Sequence, residues 1–242
     1  MILLCNGDSW TQGDYPAQQF NWNAKPNLDW YNIIPDFGEL CNSYSDRVLY
    51  KFYDSNVWPK VLGKEFGVET WNCGRLGASN DKILRTTINS IEYLESLGKT
   101  DIFVVIGLTS INRYSNLTPK YTYEDLRDND ENISPVLVQK NLVNLINIQN
   151  YLSMKGYDYL IFNAFDILME DDFKSLPLYQ YINFDKIYNN DLKVHFRNYI
   201  DSKFNTNWGV NGKYYQTIHP TDFSHIEWGN ELHKYIKENY NV

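Results

Sequence analysis

Short, mainly apolar runs alternate along this chain with longer stretches whose apolar residues recur every third or fourth position. That is the pattern of buried parallel strands joined by helices. Four runs read as strands, at residues 2–5, 68–72, 102–106 and 159–162. Each is followed by a turn-forming or polar stretch: Asn6-Gly7-Asp8, Cys73-Gly74-Arg75-Leu76-Gly77, Gly107-Leu108-Thr109-Ser110 and Asn163-Ala164. In a parallel sheet those turns converge on one edge.

Helices are predicted between the runs. Residues 56–66 carry Trp58, Val61, Leu62 and Phe66 at helical spacing, and Pro59 suits a first turn. Ser79 or Asn80 caps a second helix through Leu97, ended by Gly98. Ser134-Pro135 opens a third, with Val138, Leu142, Leu145, Ile146 and Leu152 on one face and Gly156 as its stop. Thr221 or Asp222 caps the last, which presents His225, Trp228, Leu232, Tyr235 and Ile236. Three segments break the alternation, at residues 14–54, 111–133 and roughly 165–210. Loops of this length in a compact domain are usually functional, and the first holds Trp22, Trp30, Tyr31, Phe37, Tyr44 and Tyr50. They are expected to wall the site. No repeat or linker divides the chain, so residues 1–242 are read as one domain.

Composition narrows the function classes. With 43% hydrophobic residues, 20 Tyr and 7 Trp, the chain has the material for a packed core and is not a disordered segment. Twenty-two basic against 30 acidic residues leave a formal charge of −8, and no basic cluster tracks a phosphate backbone, so nucleic acid is not an expected partner. No apolar stretch is long enough for a membrane span and no secretory signal is read at the start. The expected setting is cytoplasmic or virion-associated. Cys5, Cys41 and Cys73 lack paired spacing, which points to neither a disulfide framework nor zinc. The acidic stretch Asp128, Asp130, Glu131 lacks the glycine and terminal carboxylate of a calcium loop and reads as a solvated loop.

The chemistry-bearing residue is Ser9, at the end of the first strand. The carboxyl ends of strands open into the ligand crevice of α/β folds, and a serine there is a nucleophile if a base reaches it. Among the four histidines, His219 lies in a loop fixed by Pro220 just before the last helix. His225 sits within the apolar stripe of that helix, His233 reads as a surface residue, and His195 lies in an uninformative stretch. Asp8, in a turn, is expected to bond its own backbone and shape the loop.

Gly7-Asp8-Ser9-Trp10, Asn72-Cys73-Gly74-Arg75-Leu76-Gly77-Ala78-Ser79, Gly107-Leu108-Thr109-Ser110 and His219-Pro220, in this order, resemble the four blocks of the SGNH/GDSL hydrolase family across nearly the whole chain. The resemblance implies a three-layer α/β/α sandwich with a flavodoxin-like parallel sheet of about five strands. It also implies a serine esterase that works through an acyl-enzyme on a small-molecule or glycan ester, with no metal or organic cofactor. Ser9 takes the place of the nucleophile, Gly77 that of an oxyanion donor and His219 that of the base. Two positions depart from the pattern. Thr109 stands where the family has an oxyanion-hole Asn, and Gln216 where it has the Asp three residues before the His. Thr109 is a candidate substitute donor, Gln216 a candidate orienting group, and Asp222 or Asp166 a candidate acid. The Asp222-Phe223-Ser224-His225 spacing keeps His225 as an alternative base, with a supporting role otherwise. These departures also motivate a second expectation: an inactive relative serving as a binding module, such as a glycan-recognising component of a viral particle.

Overall fold

The computed structural model describes residues 1–12, 31–33, 56–75, 77–117, 123–127, 135–164, 174–207, 212–216 and 219–242. Its centre is a parallel sheet built from β1 (Ile2–Asn6), β3 (Glu69–Asn72), β4 (Ile102–Leu108) and β7 (Asp158–Asn163). These lie side by side in the order β3-β1-β4-β7, and a fifth short strand, β2 (Tyr31–Ile33), pairs parallel with the outer edge of β3. Every residue of β1 and β4 is buried. That is why both read as unbroken apolar runs: a strand covered on its two faces has no polar side.

Alternate residues feed two cores. Leu4, Val104, Ile106 and Ile161 face one layer, made by α3 (Asn80–Ser96) and α4 (Pro135–Lys155). Leu3, Cys5, Phe103, Val105, Leu160 and Phe162 face the other, made by α2 (Trp58–Phe66), α5 (Phe196–Phe204) and α6 (Asp222–Asn239). The expected α/β/α sandwich is thus present. Gly67, Gly98 and Gly156 follow α2, α3 and α4 with φ of 65°, 75° and 76°, the left-handed conformation that terminates a helix at little cost to glycine. Ser79 caps α3 by accepting the Lys82 N–H at 3.3 Å. Thr221 occupies the cap position of α6 but its side chain does not cap, because its hydroxyl donates to the Lys213 carbonyl instead.

The long segments have contents that periodicity did not show. The second contains an antiparallel hairpin, β5 (Arg113–Leu117) with β6 (Tyr123–Arg127). The described part of the third, residues 174–207, belongs to the core. Ile182, Ile187 and Leu192 complete one core, and Tyr188, Phe196 and Ile200 the other. Bridges Ile161↔Ile187 and Asn163↔His195 run along β7, so this segment covers an otherwise open sheet edge. The first segment lies outside the described residues apart from β2. No helix among the described residues is long and apolar enough to cross a membrane.

Candidate active site

Ser9 begins a one-turn helix, α1 (Ser9–Gln12), directly after β1, and is 3% exposed. The turn is tied down from four sides. Asn6, the last residue of β1, donates from Nδ2 to the Ile83 carbonyl at 3.0 Å and to the Thr86 and Thr87 hydroxyls at 2.9 and 2.7 Å. Asn72 holds α1 from the neighbouring strand, donating to the Thr11 carbonyl at 2.9 Å. Arg75 N–H reaches the Gly7 carbonyl at 3.0 Å, joining the second turn to the first. Trp10 is buried edge-on against Phe196, 5.3 Å between centroids. The glycine of Gly7-Asp8-Ser9 is required by packing, since a Cβ there would stand 2.1 Å from Thr11 Oγ1 and 2.9 Å from the Gly107 carbonyl oxygen.

His219 arrives from the far end of the chain. With Pro220 it forms β9, which pairs antiparallel with β8 (Tyr215–Gln216) so that Gln216 and His219 are opposed residues. Its Nε2 stands 3.2 Å from Ser9 Oγ. In the neutral imidazole that carries its proton on Nδ1, Nε2 accepts from the serine hydroxyl. Gly77 lies in the turn after β3 with φ +70°, and among the described residues nothing stands within 4 Å of where its Cβ would be. β1 and β4 are adjacent strands whose crossovers leave in opposite directions, so Ser9 and Thr109 meet at the topological switch point where such sheets bind ligands.

The other expected residues are placed differently. Thr109 is buried with its hydroxyl between two charged groups: it accepts from Arg113 Nη1 at 2.8 Å and donates to Asp8 Oδ2 at 2.9 Å. Its one proton is therefore directed to Asp8 and not toward Ser9. Asp222 heads α6, and among the described residues its carboxylate accepts from Asn56 Nδ2 at 3.2 Å. His225 is buried, its Nδ1 taking the Trp58 N–H at 3.4 Å and its ring set against Phe196 at 5.5 Å. It therefore supports α2 and α5 from within the core. His233 is half-buried, edge-on to Phe66 at 4.6 Å, and not simply a surface residue. His195 caps α5, accepting the Asn198 N–H at 3.1 Å. Asp166 and the side chain of Gln216 lie outside what is described.

Two residues that hold the Thr109 loop were not singled out from sequence. Asn80, considered only as a cap, clasps the backbone of Thr109: Oδ1 takes its N–H at 2.9 Å and Nδ2 donates to its carbonyl at 3.0 Å. Asn141 continues the network, accepting from Asn80 at 2.7 Å and donating to the Ile111 carbonyl at 2.9 Å. Every amide proton of this pair has an acceptor, and a fully satisfied buried network rigidifies the loop it holds. The signal was an Asn inside an apolar helical face, as with Asn141 between Val138 and Leu142.

Burial sets the protonation of several groups. Burial pushes the Asp8 carboxyl up, opposed by Arg113, the Trp10 N–H and the Thr109 hydroxyl. Burial also lowers His225 to about 3, with His219 adding to the effect, and lowers His195 to about 4, with Arg197 adding. Both imidazoles are neutral in the folded protein, whereas an unfolded chain protonates them near about 6.5. Below that pH the unfolded state binds more protons, so this part of the stability is complete above about 6.5 and is lost as pH falls toward 4 and 3. His225→Asn keeps an acceptor for the Trp58 N–H but cannot titrate. Its melting temperature is expected to fall less between pH 7 and pH 4.5 than that of wild type; equal falls would exclude His225 as a cause. The opposite contribution of Asp8 is common to both proteins and cancels in this comparison.

The sheet order, the serine turn after the first strand and the histidine before the last helix define an α/β/α domain with the SGNH/GDSL hydrolase fold. Solved structures share it, among them the following two. One is a carbohydrate esterase whose active site displays divergent catalytic and non-catalytic binding functions, with a TM-score of 0.52 and 14% identity over 99% of this chain. The chain spans 65% of that esterase's length. The other is a lipolytic protein of the G-D-S-L family from Desulfitobacterium hafniense DCB-2, with a TM-score of 0.50 and 13% identity, covering 97% of this chain and 98% of its own. No protein-family profile matches the sequence, and no curated protein matches it.

Proposed function

We propose that this chain is a serine ester hydrolase acting on an O-acyl ester, with an acylated carbohydrate as the preferred substrate class. The observation that carries the reading is the 3.2 Å approach of His219 Nε2 to Ser9 Oγ. Ser9 Oγ attacks the acyl carbonyl carbon while its proton passes to His219 Nε2. The resulting oxyanion is met by the N–H groups of Ser9 and Gly77. The imidazolium then protonates the departing alkoxide, leaving an acyl-serine and a free alcohol. Water attacks the acyl-serine with His219 again as base, releasing the acid. Ser9 N–H opens a helix, so it has no intrahelical acceptor and is available for this task. The carbohydrate part of the reading draws on the aromatic-rich first insertion and on the carbohydrate esterase that shares the fold.

Covalent labelling tests it. A fluorophosphonate probe is expected to modify Ser9 in the wild type, with labelling and acetyl-ester hydrolysis both lost in Ser9→Ala. Folded protein whose Ser9 stays unlabelled would favour the second reading, a binding module, which the commitment of the Thr109 proton to Asp8 supports.

A further inference from the structure

The mechanism above gives no part to Asp8, although its carboxylate is fully buried one residue from the nucleophile. Its Oδ1 takes the Trp10 N–H at 3.0 Å. Its Oδ2 takes the Thr109 hydroxyl and Arg113 Nη1, each at 2.9 Å. Two donors aimed at one oxygen are the surroundings of a carboxylate, not of a carboxylic acid. Arg113 Nη1 also donates to Thr109 Oγ1 at 2.8 Å, which closes a triangle of three side chains. Arg113 opens β5, its own N–H bonded to the Ser110 carbonyl at 3.2 Å, and its side chain is only 17% exposed.

We infer that Arg113 balances the Asp8 charge so that negative charge can develop on the substrate oxygen bound at Ser9, which makes it a positioning residue of the hydrolytic site. The inference rests on the hydrolase reading above. Two like unit charges about 6–8 Å apart at an effective dielectric of about 20 repel enough to slow a reaction about 30- to 100-fold, and an unbalanced Asp8 carboxylate one residue from Ser9 would oppose an oxyanion there in this way. The guanidinium on Asp8 Oδ2 cancels that repulsion. Asp8 in turn fixes the Trp10 amide and hence the start of α1, from which the Ser9 hydroxyl and N–H are presented. The loop after β4 thus serves the oxyanion through charge, while its Thr109 hydroxyl is engaged elsewhere.

Five proteins separate charge balance from mere packing: wild type, Arg113→Met, Arg113→Lys, Asp8→Asn and the double variant Asp8→Asn/Arg113→Met. Hydrolysis of p-nitrophenyl acetate and the fluorophosphonate labelling rate are measured on each, with circular dichroism confirming the fold. Arg113→Met is expected to lower kcat/KM about 30- to 100-fold, mostly through kcat. Adding Asp8→Asn removes the charge that needed balancing, yet keeps an acceptor for the Trp10 N–H. The double variant should therefore return to within about tenfold of wild type, the charge penalty being gone. Arg113→Lys, which keeps the cation, should lose less than Arg113→Met. Near-wild-type activity in Arg113→Met overturns the inference, as does a folded double variant no faster than Arg113→Met, since a packing prop is not restored by deleting a charge. A wild type that neither labels nor turns over would remove the hydrolase reading and this inference together. Normal labelling that is indifferent to Arg113 would remove only the inference.

Discussion

His219→Ala is expected to lower turnover of an acetyl ester by on the order of 10⁵- to 10⁶-fold, with the residual rate arising from the oxyanion donors and binding alone. The size follows from the geometry. One imidazole nitrogen lies 3.2 Å from the Ser9 hydroxyl, and without it the serine must ionise unaided. Two comparison variants make the result specific. His225→Asn, whose imidazole is buried against Phe196 and bonded to the Trp58 amide, is expected to keep kcat within about tenfold of wild type, since it touches no reacting atom. Asp222→Asn, whose carboxylate accepts from Asn56, is expected to stay within about fivefold, far short of the roughly 10⁴-fold loss that follows removal of a triad acid. Steady-state kinetics at pH 8 decides among them. A larger loss in His225→Asn than in His219→Ala would transfer the base to His225.

The largest expected effect on stability belongs to Trp228→Ala. Trp228 is fully buried in α6 at the centre of an aromatic cluster, stacked on Phe196 at 5.2 Å and met by Phe162, Tyr188 and Tyr199 at 5.1, 5.0 and 5.3 Å. Deleting it removes the transfer free energy of a large ring and leaves a cavity that four other aromatic rings cannot fill by collapsing. The cost is about 3–5 kcal/mol. For a chain of this length that is a fall in melting temperature of about 6–20 °C, or a lower urea midpoint at unchanged m. Met154→Ala, at a side chain 75% exposed on α4, should change stability by less than about 0.5 kcal/mol. Equal effects at the two positions would show that this cluster does not hold the layer to the sheet.

Which parts of the molecule could be read from the chain follows from how local their causes are. β1, β4 and β7 announce themselves because burial on both faces leaves them few polar residues, whereas β3 alternates buried Thr70 and Asn72 with half-buried Glu69 and Trp71. The ends of α2, α3 and α4 are visible because a left-handed stop calls for glycine at 67, 98 and 156. By contrast, β2 is three residues long, too short for any period to show. Helix α5 escapes for two reasons. Its cap is a histidine, His195, outside the usual capping residues, and it buries only Phe196 and Ile200, too few positions to mark a stripe. The β5–β6 hairpin lies in a segment where polar and aromatic residues mix without alternation.

The same division runs through the site. Ser9, its glycine and the turn that carries it are local consequences of a strand ending in Asn6-Gly7-Asp8, and the sequence by itself determined them. The tertiary structure decided which imidazole faces the serine, because that contact joins residues 210 positions apart. It also decided what Thr109 does in place of an asparagine. Its hydroxyl is captured by an aspartate 101 positions away, which an arginine 105 positions from that aspartate neutralises. A hydrogen bond closed by folding leaves no period or spacing along the chain; it depends on the packing of β4 beside β1 and on a side chain, Arg113, that the hairpin carries back to the strand ends.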